Sequence, residues 1–193
     1  MQISYLAGRG SILGEGPLWD AALGCLWWID IEGRALHRHD PQTGRSSTQP
    51  VPGRPGFVAL HASGQLVLGI EREVVLFDPG ADRGISLAEV DKDGIRINDG
   101  CCDHAGQLWF GTMDDKVASP IGALYRLGPA GPEAAINDVL ASNGPAFSTD
   151  RRWLSKSVNQ PFLCLAFFKM FLNSSSGFKK KSPNLSNAFI FFS

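Results

Sequence analysis

Glu15, Asn98 and Asn143 are the residues whose types and placement point most directly to chemistry. They stand in Leu13-Gly14-Glu15-Gly16-Pro17, Arg96-Ile97-Asn98-Asp99-Gly100 and Ser142-Asn143-Gly144-Pro145. A carboxylate and two side-chain amide oxygens are hard ligands, suited to Ca²⁺ or Mg²⁺ and tolerable for Zn²⁺ or Mn²⁺. Arg96 adds a fixed planar cation with several donors for hydroxyl or carboxylate oxygens. The glycines beside each polar residue allow close backbone approach. Taken singly, Glu15 reads as a solvated loop residue and the two asparagines as turn residues. What sets the three apart is a common phase in a repeat.

The repeat is a short turn followed by Leu and an apolar alternation. Its copies are Leu23-Gly24-Cys25-Leu26-Trp27, Ser63-Gly64-Gln65-Leu66-Val67 and Ala105-Gly106-Gln107-Leu108-Trp109, with a degenerate fourth in Asp150-Arg151-Arg152-Trp153-Leu154. Aligned on the leucines, the copies are 40, 42 and 46 residues apart, the spacing of four-stranded propeller blades. Segments Leu26–Ile31, Leu66–Glu71 and Leu108–Met113 read as strands, each followed by another at Ala35–Asp40, Val74–Asp78 and Ala123–Leu127. Asp40-Pro41-Gln42-Thr43-Gly44, Asp78-Pro79-Gly80 and Gly128-Pro129 read as turns that end those strands. Before Leu154 no segment sustains a 3.6-residue apolar period. A β-sandwich is the competing architecture.

In this frame Glu15, Asn98 and Asn143 precede their leucines by 11, 10 and 11 residues, and Arg54-Pro55-Gly56 holds the same spot in the second unit. The start of each innermost propeller strand faces the central channel. These side chains are therefore expected to converge at one mouth of it.

The chain has 193 residues, with 18 basic and 19 acidic side chains and a net charge of -1. That balance gives no electrostatic case for a nucleic acid or an anionic membrane as partner. The amino terminus shows no secretory signal, and Phe162–Leu172, broken by Lys169, is too short to span a bilayer. A soluble, cytoplasmic protein is the expectation. The cysteines Cys25, Cys101, Cys102 and Cys164 form no CxxC pair and are expected to be buried reduced thiols. His37 and His39 share one strand face, either as a surface transition-metal site or simply on a solvated outer strand. His61 and His104 precede turns in near-equivalent positions, where a hydrogen bond within the blade accounts for them. The five tryptophans are expected to pack between blades. No nucleophile elbow or phosphate-binding loop is present.

The segments LGEGPLWD, RINDG, GTMD and SNGPAFS, in this order and spacing, resemble the regucalcin (senescence marker protein), gluconolactonase and luciferin-regenerating family. The resemblance covers about residues 10–154. It implies an all-β fold of the six-bladed β-propeller type, here truncated to about three to three and a half blades. It also implies a divalent metal, Ca²⁺ foremost with Zn²⁺, Mn²⁺ and Mg²⁺ open, and a small-molecule sugar lactone as substrate. By the same resemblance Glu15 and Asn143 match metal ligands, while Arg96 and Asn98 match substrate-binding positions, with Asn98 close to the metal.

Two departures bear on activity. The family's remaining metal ligand and general base is an Asp in a Pro-Asp-Gly motif of the next blade, and no such motif follows Asn143. The family's substrate-side Glu falls near Lys116, which cannot accept from sugar hydroxyls; Asp114 or Asp115 is the available replacement. Composition also changes after Leu154, toward Phe, Ser, Asn and Lys with Gly177 the only glycine. Residues 1–154 are thus expected to form a partial propeller. Residues 155–193 are expected to be an unrelated, disordered or aberrant tail, produced by a frameshift, insertion or gene-model error, or else a separate small module such as an amphipathic membrane-surface helix. The leading expectation is a sugar-lactone hydrolase impaired by truncation. The alternatives are a non-catalytic propeller fragment and a calcium-binding regulatory protein without hydrolysis.

Overall fold

The computed structural model describes residues 10–152 and 154–158. Among them the chain is built from antiparallel strands alone. The first sheet holds β1 (Gly14–Asp20), β2 (Cys25–Asp30), β3 (Ala35–Asp40) and β4 (Arg45–Pro50), paired in that order. The second holds β5 (Pro55–Leu60), β6 (Leu66–Ile70), β7 (Glu73–Phe77) and β8 (Ile85–Glu89). The third holds β9 (Ile95–Cys102), β10 (Leu108–Asp114), β11 (Gly122–Gly128) and β12 (Gly131–Val139). A hairpin of β13 (Ser142–Phe147) and β14 (Leu154–Val158) begins a fourth. This is the expected propeller: three four-stranded meanders and the opening hairpin of another.

The strands expected around the repeated leucines and after them are β2, β6, β10 and β3, β7, β11, with ends shifted by at most one residue. The outermost strands β4 and β8 bury no apolar face. Arg-Ser-Ser-Thr-Gln-Pro in β4 and Ile-Ser-Leu-Ala-Glu in β8 are mostly exposed, and neighbouring strands rather than composition hold them extended. β14 runs across the boundary expected between residues 154 and 155. Trp153, Cys164 and residues 159–193, including the expected tail, lie outside the described residues.

The blades are held by two apolar layers, and the second sheet serves both. Val58, Leu66, Leu68, Ile70, Val75 and Phe77 pack with Cys25, Trp27, Ile29, Ile31 and Leu36 of the first sheet. The alternate residues Phe57, Ala59, Val67 and Val74 pack with Ile95, Ile97, Leu108 and Phe110 of the third. Side chains on successive strand residues point to opposite faces. A sheet covered on both sides therefore reads as an apolar run, and every residue of β6 is buried. Gly69 marks how closely the sheets approach. A Cβ there would lie 2.5 Å from Phe57 Cε1 and 2.6 Å from Ile97 Cγ2.

The tryptophans divide by position. Trp27 is buried in the first layer under Arg38, and Trp109 meets Phe147 of the next hairpin at 5.9 Å. Trp19 is 53% exposed, and Trp28 stacks on His37 within its own blade, so neither follows the expected inter-blade packing. His37 is buried, not solvated; its Nδ1 meets Thr48 Oγ1 at 2.9 Å, while His39 Nδ1 meets Ser46 Oγ at 2.8 Å. Both are cross-strand pairs with β4. The true counterpart of His61 is Asp103: each takes part in the same turn closure, with Gln65 and Gln107 respectively. His104 instead reaches Ser148 O at 2.7 Å, linking to the next hairpin rather than within its blade. Cys25 is buried as expected, whereas Cys102 is exposed; the three described cysteines are free.

Candidate active site

β1, β5, β9 and β13 open their sheets and adjoin one another in that order. Each carries a register break at the same level. In β1 it falls between Glu15 and Leu18, in β5 between Pro55 and Phe57, and in β13 between Asn143 and Ala146. In β9, Ile97 pairs with Thr112 and Asp99 with Gly111, leaving Asn98 as the extra residue. A bulge inserts one unpaired residue, bends the strand and re-aims its side chains. Gly16 and Gly144, both at φ 59°, supply the left-handed backbone that two of these bulges require. The repeated phase seen in the sequence is thus a ring of bulges lining one end of the innermost strands.

Two of the four anticipated residues touch. Asn98 Nδ2 donates to Asn143 Oδ1 at 2.7 Å and to Ser142 O at 3.0 Å. Asn143 is thereby presented as an acceptor already oriented by its neighbour. Arg96 lies mostly buried on the same strand; its guanidinium donates to Ile97 O at 3.1 Å and stands 3.6 Å from Asp115. Burial and the nearby Arg54 charge weaken its hold on its proton, though arginine remains charged. Glu15 is solvent-accessible, yet surrounding protein pushes its carboxyl above the usual carboxylate value. No hydrogen bond restrains it among the described residues.

Asp99 was not anticipated. Its carboxylate accepts from Gly100 N at 2.7 Å and from Gly144 N at 2.6 Å. Burial pushes its pKa up to about 6, against the two backbone donors and with the aid of the Glu15 charge. The Glu15 charge thus reaches Asp99, although β1 and β9 lie in different sheets. No spacing signal distinguished Asp99 from its motif neighbours.

A second cluster flanks Arg96. Arg54 donates to both oxygens of Glu71, at 3.1 Å to Oε1 and 2.9 Å to Oε2, and to both oxygens of Asp115, at 2.7 and 3.1 Å. The Arg54 hydrogen bonds, aided by its charge, hold Asp115 below the usual carboxylate range. Of the two acids that could replace the family's substrate-side Glu, Asp114 is spent on the backbone N–H groups of Lys116, Ala118 and Ser119. Asp115 faces Arg96. Cys101, nearby in sequence, has its thiol pushed up to about 12 by burial and adjacent acids, so it stays protonated at neutral pH.

The donor set fits a hard divalent ion. Glu15 offers a solvent-accessible carboxylate and Asn143 an amide oxygen oriented by Asn98. Among the described residues no group of three His, Cys, Asp or Glu side chains could hold an ion. A site here therefore depends on amide oxygens and solvent as well as Glu15.

Residues 13–156 match the SMP-30/Gluconolactonase/LRE-like region. The chain belongs to this family. It is 35% identical to 6-deoxy-6-sulfogluconolactonase of Pseudomonas putida over 146 residues, covering 74% of this chain and 50% of that protein. It is 33% identical to pentonolactonase XacC of Haloferax volcanii over 152 residues, covering 78% and 51%. The structure of regucalcin from Agrobacterium tumefaciens, a calcium-binding protein, superposes with a TM-score of 0.73 at 28% identity, covering 78% of this chain and 52% of that one. The chain thus spans about half the length of these relatives. Sugar lactonases recur among them, and the propeller of the family is the fold found here.

Proposed function

We propose that this chain carries part of the metal- and substrate-binding machinery of a metal-dependent sugar-lactone hydrolase. The observation that supports this most is the 2.7 Å contact between Asn98 and Asn143, made between bulges that the sequence repeat brings to one level. Family membership supplies the substrate class.

Glu15 and Asn143 hold the divalent ion, with Ca²⁺ the first candidate and Zn²⁺, Mn²⁺ and Mg²⁺ as alternatives. When bound, the ion supplies Lewis-acid polarisation of the lactone carbonyl. Arg96 and Asn98 orient the ring oxygens: the guanidinium donates, and the Asn98 amide is fixed by its two bonds to β13. Asp115, neutralised by Arg54 and directed toward Arg96, accepts from a sugar hydroxyl in place of the Glu whose position Lys116 takes. The general base expected from the family resemblance is an Asp for which these residues offer no substitute. A general-base step of this kind is worth typically ~10²–10⁴-fold in rate.

The test is an Mn²⁺ or Ca²⁺ titration of the full chain, paired with a gluconolactone hydrolysis assay. Saturable ion binding, lost in Glu15→Ala, is expected, with lactone hydrolysis that disappears in the same variant. Absence of ion binding in the unmutated chain would sink the reading. Ion binding with no hydrolysis at all would favour the calcium-binding alternative.

A further inference from the structure

Two consecutive residues of β9 grip three consecutive residues of β13. Asn98 takes Ser142 O and Asn143 Oδ1, and Asp99 takes Gly144 N from the other side. The backbone is pinned on both flanks of Asn143, at a bulge where Gly144 has φ 59°. A carboxylate is the one side chain of this size that accepts at both ends. Asparagine would turn an NH₂ toward either Gly100 N–H or Gly144 N–H, setting donor against donor. Asp99 is also half-buried, with each oxygen committed to one of these backbone donors.

We infer that Asp99 is a positioning residue that aims the Asn143 amide oxygen at the divalent ion by anchoring the Gly144 backbone. This rests on the proposed metal site. Asp99 itself does not touch the ion; both of its oxygens are directed at backbone donors. Partners that orient metal ligands in this way typically contribute ~10–100-fold to metal affinity.

The experiment measures Mn²⁺ binding by loss of the free-ion electron paramagnetic resonance signal. It compares the full chain, Asp99→Asn and Glu15→Ala, and follows thermal unfolding of each in EDTA. The expected result is ~10–100-fold weaker Mn²⁺ binding in Asp99→Asn, with a metal-free melt that stays cooperative. Unchanged Mn²⁺ affinity in Asp99→Asn, alongside loss in Glu15→Ala, overturns the inference and leaves the metal site standing. No binding by the unmutated chain overturns both. Should Asp99→Asn fail to fold, amide exchange at Gly144 in the unmutated chain decides. A protected Gly144 N–H supports the anchor, and one exchanging as fast as an open loop overturns it.

Discussion

Asn98 and Asn143 lie 45 residues apart in sequence and 2.7 Å apart through their side-chain amides, joining the innermost strands of successive blades. The contact couples the two residues energetically. Asn98→Ala and Asn143→Ala, combined in a double-mutant cycle under urea denaturation, are expected to show a coupling of about 0.5–3 kcal/mol. Strict additivity would mean that the contact contributes nothing to the folded state.

A divalent ion that binds the native chain alone must raise its stability. At a hundredfold excess over Kd the gain is about 2.7 kcal/mol. Thermal melts with Mn²⁺ and with EDTA should separate accordingly for the unmutated chain and coincide for Glu15→Ala.

Asp30 governs part of the acid limb. Its oxygens accept from Ile12 N at 2.8 Å and from Leu13 N and Gly33 N at 2.9 Å. Burial pushes its pKa up, but these N–H groups, aided by the His37 charge, outweigh burial and leave it below 3.8. The folded carboxylate therefore resists protonation more than the unfolded one. Its contribution is complete above the unfolded value and drains away as pH falls through the lower folded one. Urea denaturation from about pH 6 to about pH 3 should show a shallower loss of stability in Asp30→Asn than in the unmutated chain.

Gly69→Ala should destabilise through overpacking. The new methyl would press on Phe57 and Ile97, side chains that hold the second and third blades together. A cost of about 1–3 kcal/mol is expected, read as a lower urea midpoint with an unchanged slope.

Arg54 is shared between Glu71 and Asp115 but remains partly exposed. Arg54→Met should cost only about 1 kcal/mol, because solvent and salt screen such groups. The loss should shrink at high ionic strength. A cost that is independent of salt would point to packing of the arginine stem instead.

How much of this was legible in the sequence differs from one residue to the next. The repeated leucines fixed the blade spacing because each blade must place an apolar strand in the same layer, and β2, β6 and β10 follow them closely. The outer strands β4 and β8 were not legible, since pairing rather than composition makes them strands. His37 read as a solvated residue and is buried, because the Trp28 ring covers it within the blade. His104 read as the partner of His61, yet an offset of one residue sends it to the next hairpin.

By itself the sequence determined the period, the phase shared by Glu15, Asn98 and Asn143, and the hard-oxygen character of that set. Those follow from local residue type and spacing. The tertiary structure alone decided which of them touch. It also decided that Asp99 anchors Gly144, and that Asp115 rather than Asp114 faces Arg96. Such contacts depend on where bulges bend neighbouring strands and on which backbone donors a carboxylate finds across a blade boundary. A linear spacing carries no record of either.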